Sequence, residues 1–169
     1  TAPVVGSVTP VGVDEDDLAT GSDRTGSLSV ESSLEVTQSQ DTINVTFNML
    51  EGDSGMTSNS LIVYYYLSDD DKTLTASTAT SEAGIDANNT VFTDTLTDTT
   101  SSAAKHVFVL SGTIDHDNAN SENTQELIFN YSVTDSDGDV LPNTFVVNVV
   151  DDVPTVNDAF TSICGSGLV

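Results

Sequence analysis

The sequence predicts an all-β fold, an immunoglobulin-like or cadherin-like β-sandwich of seven to eight strands, and three observations carry that expectation. Apolar residues come in short runs that alternate with polar ones at period two, the pattern of a strand with one dry face. The acids are mostly aspartate, 20 Asp against seven Glu. Asp is a poor helix former and suits turns, caps and metal loops. Ser and Thr together number 45, and Thr favours strands. A chain of 169 residues has the length of one domain.

Strands are expected over residues 4–8 and 28–36, and then where Ile43, Val45, Phe47 and Met49 alternate with Asn44, Thr46 and Asn48. Residues 60–68 (SLIVYYYLS), 105–114 (KHVFVLSGTI) and 144–150 (TFVVNVV) are denser apolar runs, as expected of strands covered on both faces. Residues 90–96 form another strand, and Leu127, Phe129, Tyr131 and Val133 alternate cleanly in the next. Regular turn-rich spacing between such strands is the signature of a sandwich. Residues 21–27, 52–59 and 73–89 are rich in small polar residues and read as loops. The last is long enough to hold a further hairpin or a short helical turn near residues 81–85.

The start of the chain, Thr1-Ala2-Pro3-Val4-Val5, resembles Asp152-Val153-Pro154-Thr155-Val156 near its end. Such an echo is expected of one module cut from a tandem array. Residues 1–154 are therefore expected to form a single module. Residues 155–169 would be a linker, the start of a next module or a disordered tail. The sole cysteine, Cys164, falls in that stretch, so no intrachain disulfide is expected.

The formal charge is −24, with only Arg24, Lys72 and Lys105 on the basic side. Such a chain cannot neutralise a phosphate backbone, which excludes a nucleic-acid binder. It also argues against docking on an anionic membrane, and no apolar run reaches the length of a membrane span. The polyanionic surface discourages pairing through exposed strand edges, so a monomer is expected.

The sharpest motif is Asp135-Ser136-Asp137-Gly138-Asp139, set between two strands. Carboxylates at alternate positions of a tight loop can converge on one hard cation, and calcium accepts six to eight oxygens. The glycine spacing is not that of an EF-hand. The alternative is a solvated hairpin turn, which Asp and Gly also favour. Further clusters are Asp14, Glu15, Asp16 and Asp17; Asp69, Asp70 and Asp71; Asp115 and Asp117; and Asp151 with Asp152. Each alone reads equally as a solubilising patch. Together, at strand ends, they favour several calcium ions, because a bound cation removes the repulsion between adjacent carboxylates. If successive strands alternate in direction, Asp135, Asp137 and Asp139 lie at the pole where the chain begins. The remaining clusters then lie at the opposite pole.

The order V-D-E-D-D-L-A (13–19), F-N-Y-S-V-T-D-S-D-G-D (129–139) and V-V-D-D-V-P-T-V (149–156) resembles the tandem repeats of giant type I-secreted RTX adhesins. The resemblance spans most of residues 1–158. It implies a calcium-dependent immunoglobulin- or cadherin-like module, strung with neighbouring modules of the same chain into an extender on the bacterial surface. Some ice-binding adhesins of marine bacteria are built in this way. It further implies Asp135, Asp137 and Asp139 as loop ligands and Asp151 and Asp152 as linker ligands, with Asp14, Glu15, Asp16 and Asp17 matching the acidic stretch near the module start. The glycine-rich nonapeptide of the RTX β-roll is absent from the sequence.

A ligand-binding module is the alternative. Thr93, Thr95, Thr97 and Thr99 alternate and could line a flat face for ice or a sugar, and Tyr64, Tyr65 and Tyr66 could stack on a glycan. The plainer readings are an exposed strand face and core aromatics. An enzyme is not expected, because the carboxylates sit in turns without an apolar pocket to separate their pKa values. His106 reads as a core or surface residue, and His116 as a solvated side chain in an acidic loop.

Overall fold

The computed structural model describes residues 1–37, 40–117 and 122–152. Its strands are β1 (Val4–Val5), β2 (Val11–Asp14), β3 (Ser29–Ser33), β4 (Val36–Thr37), β5 (Ile43–Phe47), β6 (Gly52–Ser58), β7 (Leu61–Leu67), β8 (Thr73–Ser77), β9 (Thr90–Thr97), β10 (Lys105–Leu110), β11 (Thr124–Asp135) and β12 (Val140–Val150). One sheet has six strands in the order β3-β10-β9-β8-β7-β6, and a second has four in the order β2-β12-β11-β5. β1 and β4 form a separate short pair. All pairings are antiparallel except that of β12 with β2.

The two sheets face each other across one core. Ile43, Val45 and Phe47 of β5, Phe129, Tyr131 and Val133 of β11, and Phe145, Val147 and Val149 of β12 line one side. Val63, Leu74, Ala76, Phe92, Leu96, Phe108 and Leu110 line the other. Aromatic rings knit the layers together, with Phe129 5.9 Å from Phe92 and 6.3 Å from Phe108. Edge contacts of this kind add about 0.5–1.5 kcal/mol each beyond simple burial. Lys72 clamps the sheets at one end, its ammonium donating to Asn44 Oδ1, the Val45 carbonyl and Thr99 Oγ1.

The all-β sandwich follows the sequence expectation, but the strands number twelve among the described residues. Residues 52–59 and 73–77, expected as loops, contain β6 and β8. β6 is an edge strand with an irregular register between Asp53 and Thr57, and Gly52 and Gly55 take φ of +108° and +78°. Its Gly-Asp-Ser composition reads as a loop because a bulged edge needs those conformations. A 3-10 turn spans Glu82–Gly84, within the stretch where a hairpin or helical turn was anticipated. The dense runs are covered on one face only: in β10, His106, Phe108 and Leu110 are buried while Val107 and Val109 are half-buried. Residues 155–169 and Cys164 lie outside the described residues.

β11 fixes the long axis. It begins at Thr124 beside Val150 and ends next to Ile43, where Asp135 pairs with β5. Asp135 and Asp151 therefore mark opposite poles, roughly 35 Å apart at about 3.3 Å per residue. We call these the N-terminal pole (Asp135) and the C-terminal pole (Asp151). Strand direction does not alternate throughout: β5 and β6 both run toward the C-terminal pole, because the chain switches sheets between them without reversing. β7 consequently returns to the N-terminal pole.

Candidate metal centres

At the N-terminal pole, β11 ends in a turn in which Gly138, at φ +90°, donates its amide to the Asp135 carbonyl. Asp135 Oδ1 accepts the amides of Asp137 (3.1 Å) and Asp139 (2.9 Å). That leaves Oδ2, buried and without a hydrogen-bond partner, on a residue only 5% exposed. Its neighbours are Asp41 and Asp137, and ligand atoms of the three carboxylates lie within 4.8 Å of one another. A buried carboxylate oxygen with no donor is costly unless a cation or proton meets it. The donor set is all oxygen, which suits calcium. Asp41 was not singled out in the sequence, because it joins the motif only through the β5–β11 pairing.

The C-terminal pole holds the second convergence. β2 ends beside Val150 and runs into a 3-10 turn spanning Glu15–Asp17, with Asp14 Oδ1 accepting the Asp16 amide. Three residues per turn send successive side chains in different directions. Glu15 turns inward, its side chain 2% exposed, and its Oε1 accepts the Ile114 amide at 2.6 Å. The same oxygen lies 3.5 Å from His116 Nε2. The His116 side chain is 3% exposed and its Nε2 has no hydrogen-bond partner, so the imidazole is buried rather than solvated. Ligand atoms of Glu15, His116 and Asp151 lie within 4.8 Å of one another. They line a cleft of about 340 Å³ with Asp115 and Asp152. Burial pushes the Glu15 carboxyl up to about 7, with Asp151, Asp152 and Asp115 adding repulsion and the Ile114 amide opposing.

Asp16 turns toward the chain's exit. Its Oδ1 and Asp152 Oδ1 both accept from the Ser22 hydroxyl, at 2.9 and 3.0 Å. Its carboxyl is raised to about 6, chiefly by sharing a proton with Asp152 and then by burial. Asp17 Oδ1 accepts the Gly26 amide at 2.6 Å. Asp14, Asp16, Asp17 and Asp23 line a further cleft of about 200 Å³.

The other acids do different work. The Asp139 carboxylate stays out of the Asp41 cluster, and Asp117 is exposed. Asp115 clamps the β6–β7 hairpin, accepting the amides of Asn59 (2.9 Å) and Ser60 (2.7 Å), both at positive φ. Burial alone would raise its carboxyl, but hydrogen bonds from Thr57, Ser60 and Asn59 outweigh that and hold it below the usual range. Asp69, Asp70 and Asp71 sit at the N-terminal pole, not the C-terminal pole that alternating strands implied, because β7 runs toward the N-terminal pole. Asp70 Oδ1 accepts the Ser68 hydroxyl and the Lys72 amide, which hold its carboxyl low. Asp71, at φ +56°, gives its carbonyl to the Phe47 amide. Asp69 and Asp71 line a cleft of about 460 Å³ with Glu51 and Glu82.

One buried Asp–His pair has no sequence signature. Asp94 of β9 and His106 of β10 are fully buried, with Asp94 Oδ2 3.1 Å from His106 Nδ1. The imidazole stacks on Phe145 at 3.9 Å. Burial raises the Asp94 carboxyl, against the pull of His106. Of the threonines read as a face, Thr93 and Thr95 pair directly with Thr75 and Thr73 of β8. Thr99 instead is buried beneath the Lys72 ammonium. No family model, curated protein or solved structure matches the chain.

Proposed function

We propose that the chain is a calcium-rigidified spacer module of a bacterial surface adhesin, exported from the cell and joined to neighbouring modules of the same polypeptide. One observation carries the reading: at the N-terminal pole three carboxylates converge around Asp135 Oδ2, a buried oxygen with no hydrogen-bond partner. Asp41, Asp135 and Asp137 would hold calcium at the N-terminal pole. Asp14, Asp16, Asp17 and Asp152 would contribute where the chain leaves the last strand. Calcium supplies positive charge that no residue of this chain can, with three basic side chains against 27 acidic ones. Loops that otherwise repel would then lock against the ends of the sandwich, fixing the angle to the next module. The resemblance to RTX adhesin repeats supports the same reading.

Extracellular calcium modules bind at about 10⁻⁴–10⁻³ M, so calorimetric titration should find two or more calcium ions per chain in that range. Absence of calcium binding at about 10 mM contradicts the reading. A second reading, a ligand-adsorbing face, draws on the cross-strand pairs Thr73–Thr95 and Thr75–Thr93 on the outer side of the six-stranded sheet. Ice-recrystallisation and glycan-array assays test it, and substituting those threonines by lysine should abolish any activity found.

A further inference from the structure

The two poles differ in one ligand. The N-terminal cluster is all oxygen, whereas the C-terminal cluster contains an imidazole. We infer that Glu15, His116 and Asp151 form a site for a divalent transition metal of the zinc class, distinct from the calcium sites. The inference rests on reading the poles as cation sites and goes beyond it in the identity of the ion.

His116 carries the argument. Its side chain is 3% exposed, and Nε2 is sealed from solvent without a hydrogen-bond partner. The nearest acceptor, Glu15 Oε1, stands 3.5 Å away and already takes the Ile114 amide at 2.6 Å. A charge-assisted hydrogen bond would close to about 2.7–2.9 Å. The gap between these atoms is instead that of two ligands facing a common point. Imidazole is a ligand of zinc, nickel, copper and iron, while calcium takes oxygen. One imidazole with two carboxylates makes a three-ligand set that leaves coordination positions open. Those positions face the cleft bordered by Asp115 and Asp152. An added ion would also relieve the repulsion that Asp151, Asp152 and Asp115 impose on Glu15. Neither Asp115, engaged by the hairpin amides, nor the distant His106 is needed as a ligand.

The chain has two histidines, which makes the test clean. Ring-nitrogen NMR on tag-free protein should show zinc shifting His116 Nε2 while His106, sealed in the core, stays still. Calcium in tenfold excess should leave both rings unmoved. His116→Gln should weaken zinc binding by at least about tenfold, since even outer-shell losses cost 10–100-fold. Asp151→Asn provides a second variant with the imidazole intact and should weaken zinc similarly. Circular dichroism and retained calcium binding at the other pole verify that both variants fold. Zinc that fails to bind at about 100 μM, far above a useful affinity, overturns the inference. So does zinc that binds without moving His116, or with equal affinity in both variants. Failure of the calcium reading is separate: it appears as absent calcium binding whatever zinc does.

Discussion

Asp135 gives one carboxylate oxygen to its own turn and leaves the other buried beside Asp41 and Asp137. Asp135→Asn keeps the shape but removes the charge, so the account expects most of the calcium-induced rise in melting temperature from that site to vanish. Asp137→Ala should act in the same direction, and calcium titration of each variant checks both. Asp115 provides the contrast. Asp115→Ala removes the hairpin clamp and should cost about 2 kcal/mol in chelator, while the calcium-induced rise persists in parallel melts. Glu15 predicts a pH effect. Its carboxyl is raised from 4.5 to about 7, so the folded state binds a proton more tightly than the unfolded chain. In chelator, stability is therefore fully present below about pH 4.5 and falls as pH rises through 7, by up to about 3 kcal/mol. Denaturant melts at pH 5 and 7.5 with chelator measure this, against a background of carboxylates elsewhere. At this scale the Asp-Ser-Asp-Gly-Asp motif was legible in the sequence. Asp41 and His116 were not, because tertiary pairing alone brings them to their partners.

Among the elements, the alternating runs of β5 and β11 were legible because each has one core face and one polar face. β6 and β8 were not: a bulged, glycine-bearing edge and a Thr-Leu-Thr-Ala-Ser strand lack the apolar alternation that marks a strand. Asp69, Asp70 and Asp71 lie a full sandwich length from the pole expected, whereas Asp115 and Asp151 keep theirs, because β8 adds one more reversal before β9. β9 and β10 hold the buried Asp94–His106 pair, and their inward alternation was legible except for its polar member. Removing one partner strands the other in the core. His106→Leu should therefore destabilise by about 3–5 kcal/mol, whereas Asp94→Val combined with His106→Leu should be neutral or stabilising. Chemical denaturation of the single and double variants separates these outcomes.

For the whole molecule, one hydrophobic core joins the two sheets while acidic side chains gather at both ends. The core sets the fold; on the proposed reading the ends would set how stiffly one unit meets the next. On the proposed reading, bound cations would compensate the chain's balance of three basic and 27 acidic residues. The decisive measurement is a thermal melt of the chain in EDTA and in about 10 mM calcium, with magnesium as control. At 100 times the dissociation constant each site adds about 2.7 kcal/mol, and 1 kcal/mol moves the midpoint by about 2–4 °C at this size. Two sites therefore predict a rise of about 10–20 °C with calcium and little with magnesium. Coincident melts in EDTA and calcium would contradict the account and leave the acidic poles as solubilising surface.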